Sequence, residues 1–280
     1  MELFDNSKIA SYIDCPRGYF YSWEMRIEPD WNNKDLGFGQ VLHSGLDWFY
    51  KRIKDFSIWE LDAVDNLKMF QDEAVKVFQN KFLELDLPED KIKNMENGVK
   101  SLTEYFLDEG KWSWNGEIVM VEEPISCEDF TGKIDLMIKQ DDTLIIIDHK
   151  TTGWSGKNDQ KKWGQARGLT GYHWLGERIK KEYECNKVQS MVNMFYIGAE
   201  PDYCKIPMSY SEWQLKEWEK GTRYWIERIK ESKRENFWAK AGSRCQMPRG
   251  CEFQVLCEQN KRIEELVIPG IFRKKEGWYC

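Results

Sequence analysis

Several features that would place a protein in a common class are missing from this chain of 280 residues. No apolar run approaches the roughly 20 residues that a membrane-spanning helix needs. The N-terminal segment lacks the basic and then apolar arrangement of a secretory signal, and internal repeats are absent. With 41% hydrophobic and 32% charged residues, the composition suits a folded globular protein. We therefore expect a cytoplasmic protein with no membrane partner.

An excess of basic residues is also missing, because the formal net charge is −7. This balance argues against a protein that coats nucleic acid through bulk positive charge, although a local basic stretch is still compatible with binding. Lys157, Lys161, Lys162 and Arg167 form such a stretch. A run of like charges is more often a solvated face than a binding path, so both interpretations stay open.

Cys-x2-Cys pairs, which are typical of zinc ribbons, do not occur among the eight cysteines. Cys15 stands alone near the N-terminus, whereas Cys245, Cys251 and Cys257 lie close together near the C-terminus. In a reducing compartment, such cysteines favour metal ligation over disulfides. Four thiolates fit a [4Fe–4S] cluster or a structural zinc ion, and unligated buried thiols are a third alternative.

Hydrophobic periodicity divides the chain into helical and β-rich parts. Ser7 is the predicted N-cap of a helix that Pro16 ends. A long helix is predicted after Ser211, with Trp213 and Tyr224 on its apolar side. Further helices are predicted at 39–54, 59–85, 91–109 and 159–184, and strands at 118–127, 131–139, 143–149, 188–197 and 203–208. We therefore predict an α/β fold.

Two carboxylates and a lysine in the β-rich part match the needs of phosphodiester hydrolysis. Asp135 follows Gly-Lys-Ile, and Asp148 follows a run of three isoleucines. Mg²⁺ prefers oxygen ligands and takes few carboxylates from the protein, so these two side chains suffice if their strands pair as a hairpin. Because side chains alternate along a strand, Lys150 points to the same face as Asp148. The side chain of His149 points the other way, and only its backbone carbonyl is expected to reach the metal.

These motifs resemble the core of the PD-(D/E)XK nuclease superfamily, specifically its RecB-like branch. That branch carries an upstream Gly-x-x-x-His helix, which Gly39 to His43 matches, and residues 7–21 resemble its opening segment with Cys-Pro. The resemblance implies that His43, Asp135 and Asp148 bind Mg²⁺ or Mn²⁺ and that Lys150 is catalytic.

The same resemblance implies a domain organisation. A single nuclease domain spans residues 1–280, with a restriction-endonuclease-like core sheet flanked by helices. Residues 116–210 form its catalytic core and residues 39–110 a helical insertion. Residues 1–20 and 240–260 form a cluster-binding staple, in which the cluster joins the two ends of the domain.

The cysteine pattern of the family favours iron–sulfur over zinc. Many members space their last three cysteines as Cys-x2-Cys-x5-Cys, and the spacing here is a wider variant, Cys-x5-Cys-x5-Cys. The resemblance implies that a [4Fe–4S] cluster is held by Cys15, Cys245, Cys251 and Cys257. Structural Zn²⁺ is the alternative.

One family motif departs from the pattern. The helix after the core often carries Gln-x-x-x-Tyr, which Tyr172 matches, but Gly168 stands at the glutamine position and Gln165 is the nearest candidate. The residues predicted to contact DNA are Lys157, Lys161, Lys162, Gln165, Arg167 and Tyr172.

The family implies a metal-dependent DNA exonuclease that acts on single-stranded or end-containing DNA. Its setting would be phage recombination or replication, or CRISPR adaptation, in a bacterium, an archaeon or a phage-infected host. A Gly-x-x-x-x-Gly-Lys-[Ser/Thr] loop is absent, so ATP-driven unwinding is not expected. The expected partners are DNA, a recombination or adaptation protein and further copies of the chain. The alternative is a catalytically silent DNA-binding scaffold, which the Gly168 departure motivates.

Overall fold

The computed structural model describes residues 2–29, 34–55, 64–109, 116–153, 167–246, 250–258 and 271–275. The chain divides into two compact units. The sheet unit comprises Asn33–Cys127 and Gly132–Ser211, and the terminal unit comprises Met1–Asn32, Glu128–Thr131 and Glu212–Cys280.

Helices and strands alternate in blocks along the described residues. The helices are α1 (Asn6–Asp14), α2 (Pro16–Tyr19), α3 (Lys34–Asp55), α4 (Val64–Glu84), α5 (Met95–Glu109), α6 (Arg167–Ile179), α7 (Glu212–Glu235), α8 (Gly242–Cys245) and α9 (Gln254–Glu258). The strands are β1 (Ile27–Pro29), β2 (Glu117–Cys127), β3 (Phe130–Gln140), β4 (Thr143–Thr152), β5 (Lys187–Tyr196), β6 (Asp202–Met208) and β7 (Phe272–Lys274).

A five-stranded mixed sheet in the order β2-β3-β4-β5-β6 forms the centre of the fold. β3 and β4 pair as an antiparallel hairpin with Leu136 opposite Ile147. β4 and β5 run parallel with Asp148 opposite Val192, and β5 and β6 are antiparallel. β4 is buried from Leu144 to His149, as expected of a central strand covered on both faces. The predicted α/β architecture, a central sheet flanked by helices, is confirmed.

Helix α3 lies over the sheet and carries the predicted histidine motif. It begins at Lys34, earlier than predicted, and its apolar residues join α4, α5 and the sheet in one large core. Gly45 allows a close approach to α4, because a Cβ there would lie 3.0 Å from the carbonyl oxygen of Ala74. This packing sets the distance between α3 and α4.

The predicted start of the first helix is wrong. The N-cap of α1 is Asp5, whose carboxylate accepts a hydrogen bond from the Lys8 amide at 2.7 Å, and Ser7 lies within the first turn. An acidic cap also favours the positive end of the helix dipole. Pro16 follows α1 and occupies the first turn of α2, where its missing N–H costs nothing.

The predicted apolar side of α7 is also partly wrong. Its buried residues are Thr222, Ile226 and Ile229, which share one helical face. Trp213 and Tyr224 are 67% and 55% exposed, because they lie off that face. None of the helices within the described ranges combines the length and apolarity that a bilayer crossing requires.

Candidate functional site

The β3–β4 hairpin brings the two predicted carboxylates together. The backbone N–H of His149 on β4 donates a hydrogen bond to Asp135 Oδ2 on β3 at 2.7 Å. This bond fixes the carboxylate of Asp135 next to β4. Asp148 is 5% exposed and close enough for its charge to act on Asp135. Two buried carboxylates at such a distance repel each other unless a proton or a cation lies between them.

A third carboxylate, Glu122 on β2, completes this group, and sequence reasoning missed it. From the sequence alone, Glu122 and its neighbour Glu123 are expected to form a solvated pair or at most to support a ligand. It adopts a left-handed backbone with φ of 52°, which a non-glycine residue takes at a cost of about 1–3 kcal/mol. Burial stops alternating there, since Met120 and Val121 are both buried. In the sequence, Glu122 directly follows the apolar run 118–121, and this position is the signal that could have indicated it.

His43 on α3 lies between the carboxylates of β2 and β3. Its Nδ1 is 3.3 Å from Glu122 Oε1 and 3.8 Å from Asp135 Oδ2. Its Nε2 is 2.9 Å from the carbonyl oxygen of His149. One ligand atom from each of His43, Glu122 and Asp135 lies within 4.8 Å of the others, so these three residues form a donor set that one ion can reach.

The pKa values of the site show an excess of negative charge. Burial and the neighbouring charge of Asp148 raise the pKa of Asp135 to about 7. Burial raises the pKa of Glu122 as well, but hydrogen bonds from His43 and Lys133 outweigh it and hold that pKa at about 2. Burial lowers the pKa of His43, yet the hydrogen bond with Glu122 and the charge of Asp135 raise it overall. A divalent cation would relieve the same repulsion.

The donor chemistry fits such a cation. Mg²⁺ and Mn²⁺ bind carboxylate and carbonyl oxygens, and an imidazole nitrogen is also an accepted ligand for first-row metals. The residues that would hold the ion are His43, Glu122 and Asp135, with Asp148 and the carbonyl of His149 beside them. The expected ligand set of His43, Asp135, Asp148 and the His149 carbonyl stays a prediction, and Glu122 is added to it.

Lys150 lies beside Asp148, as alternation along β4 predicts. Its Nζ is 2.7 Å from Asp148 Oδ1. Burial lowers the pKa of Lys150, but the charges of Asp148 and Asp135 outweigh this effect and raise it. The amine is therefore protonated and acts as a hydrogen-bond donor, not as a base.

The side chain of His149 faces away from this group. It is 2% exposed, its ring stacks on Tyr50 with centroids 5.9 Å apart, and its Nδ1 lies 3.2 Å from Asn193 Nδ2. Burial lowers the pKa of His149 well below its ordinary value, so the ring is neutral. Its role is to pack β4 against the helices.

A cavity of about 500 Å³ opens over the site. Lys133 lies at its wall and pairs with Glu122 Oε2, while Lys150 is on the neighbouring strand. The cavity is lined by Gly39, Gln40, His43, Ser44, Asp47, Glu122, Lys133, His149, Lys150 and Thr151. The positive charges of Lys133 and Lys150 would attract an anionic substrate to the cavity. The carboxylates beside them would hold a metal near its reacting atom.

Most of the predicted DNA contacts lie outside the described residues. This applies to Lys157, Lys161, Lys162 and Gln165, and only the backbone of Arg167, at the start of α6, is described. Tyr172 is partly buried and lies against Gly132, where a Cβ would be 2.7 Å from its ring. These contacts stay predictions.

The terminal unit contains the four cysteines of the predicted cluster. Cys15 is buried, and its Sγ accepts the Gly18 N–H at 3.4 Å. Cys251 and Cys257 pack against the aromatic group of Tyr21, Phe253 and Phe272. Burial raises the pKa of Cys257, and the thiols of Cys251 and Cys15 add to the shift.

One arginine connects the three chain segments that carry these cysteines. Arg244 precedes Cys245, and its guanidinium lies 3.5 Å from Asp14, next to Cys15. The same group is 3.2 Å from Glu252, next to Cys251. Lys240 adds a hydrogen bond to the carbonyl oxygen of Cys257 at 2.7 Å. The four cysteines therefore belong to one neighbourhood of the terminal unit.

Comparisons with known proteins agree with this geometry. The family model described as the PD-(D/E)XK nuclease superfamily matches residues 6–258. A solved structure from Eubacterium rectale, described as a "putative exonuclease", is 13% identical with a TM-score of 0.58, and the match covers 96% of this chain and 94% of that one. At this identity the likeness shows the fold alone. No curated protein matches the sequence significantly.

Proposed function

The chain belongs to the PD-(D/E)XK nuclease superfamily, and we propose that it hydrolyses DNA phosphodiester bonds at the site formed by His43, Glu122, Asp135, Asp148 and Lys150. The observation that carries this proposal is the meeting of three carboxylates, an imidazole and a protonated lysine beside one cavity. A divalent ion bound there would activate water and neutralise charge on the phosphoryl oxygens.

The residues of the chain have separate tasks in this reaction. His43, Glu122 and Asp135 hold the ion, and Asp148 both supports it and orients Lys150 through the 2.7 Å contact. Lys150 donates to the phosphoryl oxygen or to the attacking water, since its raised pKa keeps it charged. Charge stabilisation by fixed donors of this kind typically contributes a hundredfold to a thousandfold in rate.

A pair of adjacent glutamates provides a matched test. Glu122→Gln keeps the shape of the side chain but removes a ligand charge, so we expect cleavage of end-labelled single-stranded DNA with Mn²⁺ to fall at least about a hundredfold. Glu123→Gln changes a more exposed neighbour that pairs with Lys54 and should leave the rate unchanged. Equal rates for both variants, or cleavage by the unmutated protein that persists in EDTA, would contradict the proposed site.

We further propose that cleavage is exonucleolytic and acts on single-stranded or end-containing DNA. The resemblance to RecB-like nucleases supports this, as does the description of the structure from Eubacterium rectale as an exonuclease. Digestion of strands blocked at the 5′ or the 3′ end tests it, because an exonuclease stops at one of the blocks. The phage or CRISPR-adaptation setting, its partner proteins, homo-oligomerisation and the cytoplasmic location stay predictions.

We also propose that Cys15, Cys245, Cys251 and Cys257 hold a [4Fe–4S] cluster with a structural role. The family's cysteine pattern supports iron–sulfur over zinc, and the burial of Cys15 and the packing of Cys251 and Cys257 against one aromatic group are compatible with a bound cluster. A brown anaerobic preparation with about four irons per chain supports the proposal. One zinc per chain would replace it and leave the nuclease site unaffected.

A silent scaffold is the second candidate, and Gly168 at the family glutamine position favours it. The intact His43, Asp135, Asp148 and Lys150 group argues against it. Metal-dependent digestion of DNA decides between the two, because a scaffold binds DNA without cleaving it.

A further inference from the structure

The loop between α4 and α5 carries an exposed isoleucine beside the cavity. We call residues 87–94 the tip loop. Leu87 is buried at 7% exposure, whereas Ile92 is 42% exposed. The loop therefore has an apolar anchor and an apolar tip.

Two close contacts fix where this loop lies in the sheet unit. A Cβ on Gly37 would lie 2.6 Å from Leu87 Cδ2, and a Cβ on Gly153 would lie 2.8 Å from Ile92 Cγ2. Gly37 precedes cavity residue Gly39 on α3, and Gly153 follows cavity residue Thr151 at the end of β4. Both ends of the tip loop thus lie against the chain segments that line the cavity.

The separation between Ile92 and the reacting centre corresponds to a few nucleotide steps. Gly153 is three residues beyond Lys150, which is on the order of 10 Å along an extended strand. Stacked bases of duplex DNA are about 3.4 Å apart on each strand. A DNA strand that has a phosphate at Lys150 and follows the end of β4 would therefore pass Ile92 within a few nucleotides.

Side chains hold the backbone of the tip in place. The N–H of Ile92 donates to Asp90 Oδ1 at 2.7 Å, and the N–H of Lys93 donates to the same atom at 2.6 Å. The carbonyl oxygen of Ile92 accepts from Asn97 Nδ2 at 2.8 Å, and Asn97 is itself buried. Such a tip is ordered before any ligand arrives, which lowers the entropic cost of contact.

Other exposed apolar residues of the helical region lack this setting. Leu83 on α4 and Leu107 on α5 are 67% and 70% exposed, and single exposed apolar side chains are ordinary. Ile92 differs because both polar groups of its backbone are bound by side chains and its own side chain touches Gly153. Leu83 therefore provides a matched control.

We propose that Ile92 is a wedge that stacks on the terminal base pair of a DNA duplex and separates the strand that enters the site. The inference rests on the proposed nuclease function and adds a preference for duplex ends. Apolar side chains inserted at a base step unstack it at a cost of a few kcal/mol. Lys91 beside the tip is exposed and suits a contact with the DNA backbone.

Digestion of matched substrates tests the wedge. Blunt duplex and single-stranded DNA of one sequence are digested with Mn²⁺ by the unmutated protein, Ile92→Ala, Ile92→Leu and Leu83→Ala. We expect Ile92→Ala to slow duplex digestion about tenfold and single-strand digestion by less than about twofold. Ile92→Leu should restore the duplex rate, and Leu83→Ala should change neither rate. Equal slowing on both substrates, an unchanged duplex rate, or no duplex digestion by the unmutated protein would overturn the proposal.

A binding measurement separates failure of the wedge from failure of the nuclease function. A duplex with 2-aminopurine in its terminal pair is titrated in Ca²⁺, and its fluorescence rises when that base unstacks. We expect the rise with the unmutated protein and with Leu83→Ala, and its loss with Ile92→Ala even when the duplex is bound. An equal rise with Ile92→Ala would overturn the wedge whether or not the protein cleaves DNA.

Discussion

The sheet unit and the terminal unit each contain groups for which we propose metal binding, but they hold these groups in different ways. In the sheet unit the functional side chains contact one another directly, as His43 does with Glu122 and Lys150 does with Asp148. In the terminal unit the cysteines interact weakly, and neighbours such as Arg244 hold their chain segments together.

The difference lies in how each site balances its charge without a metal. The carboxylates of the sheet unit already have polar partners, the imidazole of His43 and the side chains of Lys133 and Lys150. In the terminal unit, burial raises the pKa of Cys257 despite the nearby charge of Lys240, so its thiol stays protonated. Because metal binding to thiolates contributes directly to folding free energy, we expect metal loss to unfold the terminal unit locally and to leave the sheet unit folded.

The largest expected effect is on catalysis and concerns Asp148 in the sheet unit. Asp148→Asn removes the charge that orients Lys150 and supports the ion, so we expect DNA cleavage with Mn²⁺ to fall about a thousandfold. The melting temperature of the protein in EDTA should change little, because the relief of repulsion with Asp135 offsets the loss of the ion pair with Lys150. The measurement is single-turnover cleavage together with thermal unfolding.

Asp14→Asn in the terminal unit is the control. Asp14 is exposed and pairs with Arg244 at 3.5 Å, so its loss should weaken that unit slightly without affecting chemistry. A comparable loss of cleavage in both variants would show that the two units are not separate in function.

The second expected effect is on iron binding. Cys257→Ser should lose most of the iron, and amides in residues 2–29 and 250–258 should exchange hydrogen faster while the strands of the sheet unit keep their protection. Cys204→Ser on β6 serves as the control, because Cys204 lies in the sheet unit and no metal role is proposed for it. Loss of protection throughout both units would contradict the comparison.

The third expected effect is a pH dependence of metal affinity in the sheet unit. Burial and Asp148 raise the pKa of Asp135 to about 7, and a ligand carboxylate must release its proton. Affinity for Mn²⁺ should therefore rise about tenfold per pH unit below pH 7 and level off above it. Loss of a proton from His43 would steepen the rise. Isothermal calorimetry between pH 5.5 and 8 measures it, and a flat profile would contradict the buried, protonated Asp135.

Asp135 should also make the free energy of unfolding in EDTA depend on pH. The pKa of Asp135 is higher in the folded state than its ordinary value of 3.8, so the folded protein binds more protons in this window. Stability from this group is therefore present below about pH 4 and is lost as the pH rises through about 7. Asp135→Asn should remove that dependence, which urea unfolding at several pH values checks.

The sequence was sufficient for the parts of the site that depend on local pattern. Alternation along one strand places Asp148 and Lys150 on one face, and the turn after Gln140 predicts the hairpin that brings Asp135 to them. The strands lie within about three residues of their predicted bounds, since apolar runs and turn residues mark them clearly.

The missed features depend on contacts between distant residues. Glu122 joins the site because of one left-handed residue in β2 and a partner 79 positions away on α3. The contacts of Arg244 with Asp14 and Glu252 depend on how segments far apart in sequence fold back on one another. These contacts join residues of different segments. The periodicity within one segment carries no information about them, so the sequence pattern alone could not predict them.

The smallest expected effect tests whether packing, without a metal, holds the sheet unit together. Two glycines of α6 differ in their surroundings. A Cβ on Gly168 meets no atom within 4 Å, whereas a Cβ on Gly176 would lie 2.5 Å from Ile146 Cδ1 on β4. Gly168→Ala should stabilise the protein by about 0.4–1 kcal/mol, because it restricts the unfolded chain at no steric cost. Gly176→Ala should destabilise it by about 1–3 kcal/mol, because it pushes α6 away from the strand that carries Asp148.

Urea unfolding in EDTA measures both changes, and cleavage of single-stranded DNA with Mn²⁺ tests their effect on the site. Gly168→Ala should retain full activity, whereas Gly176→Ala should lower activity because β4 shifts under Lys150. Equal stability of Gly168→Ala and Gly176→Ala would show that the site does not depend on close packing of α6 on β4. The proposed contrast, a site preformed by packing in the sheet unit and a site that depends on metal in the terminal unit, would then be wrong for the sheet unit.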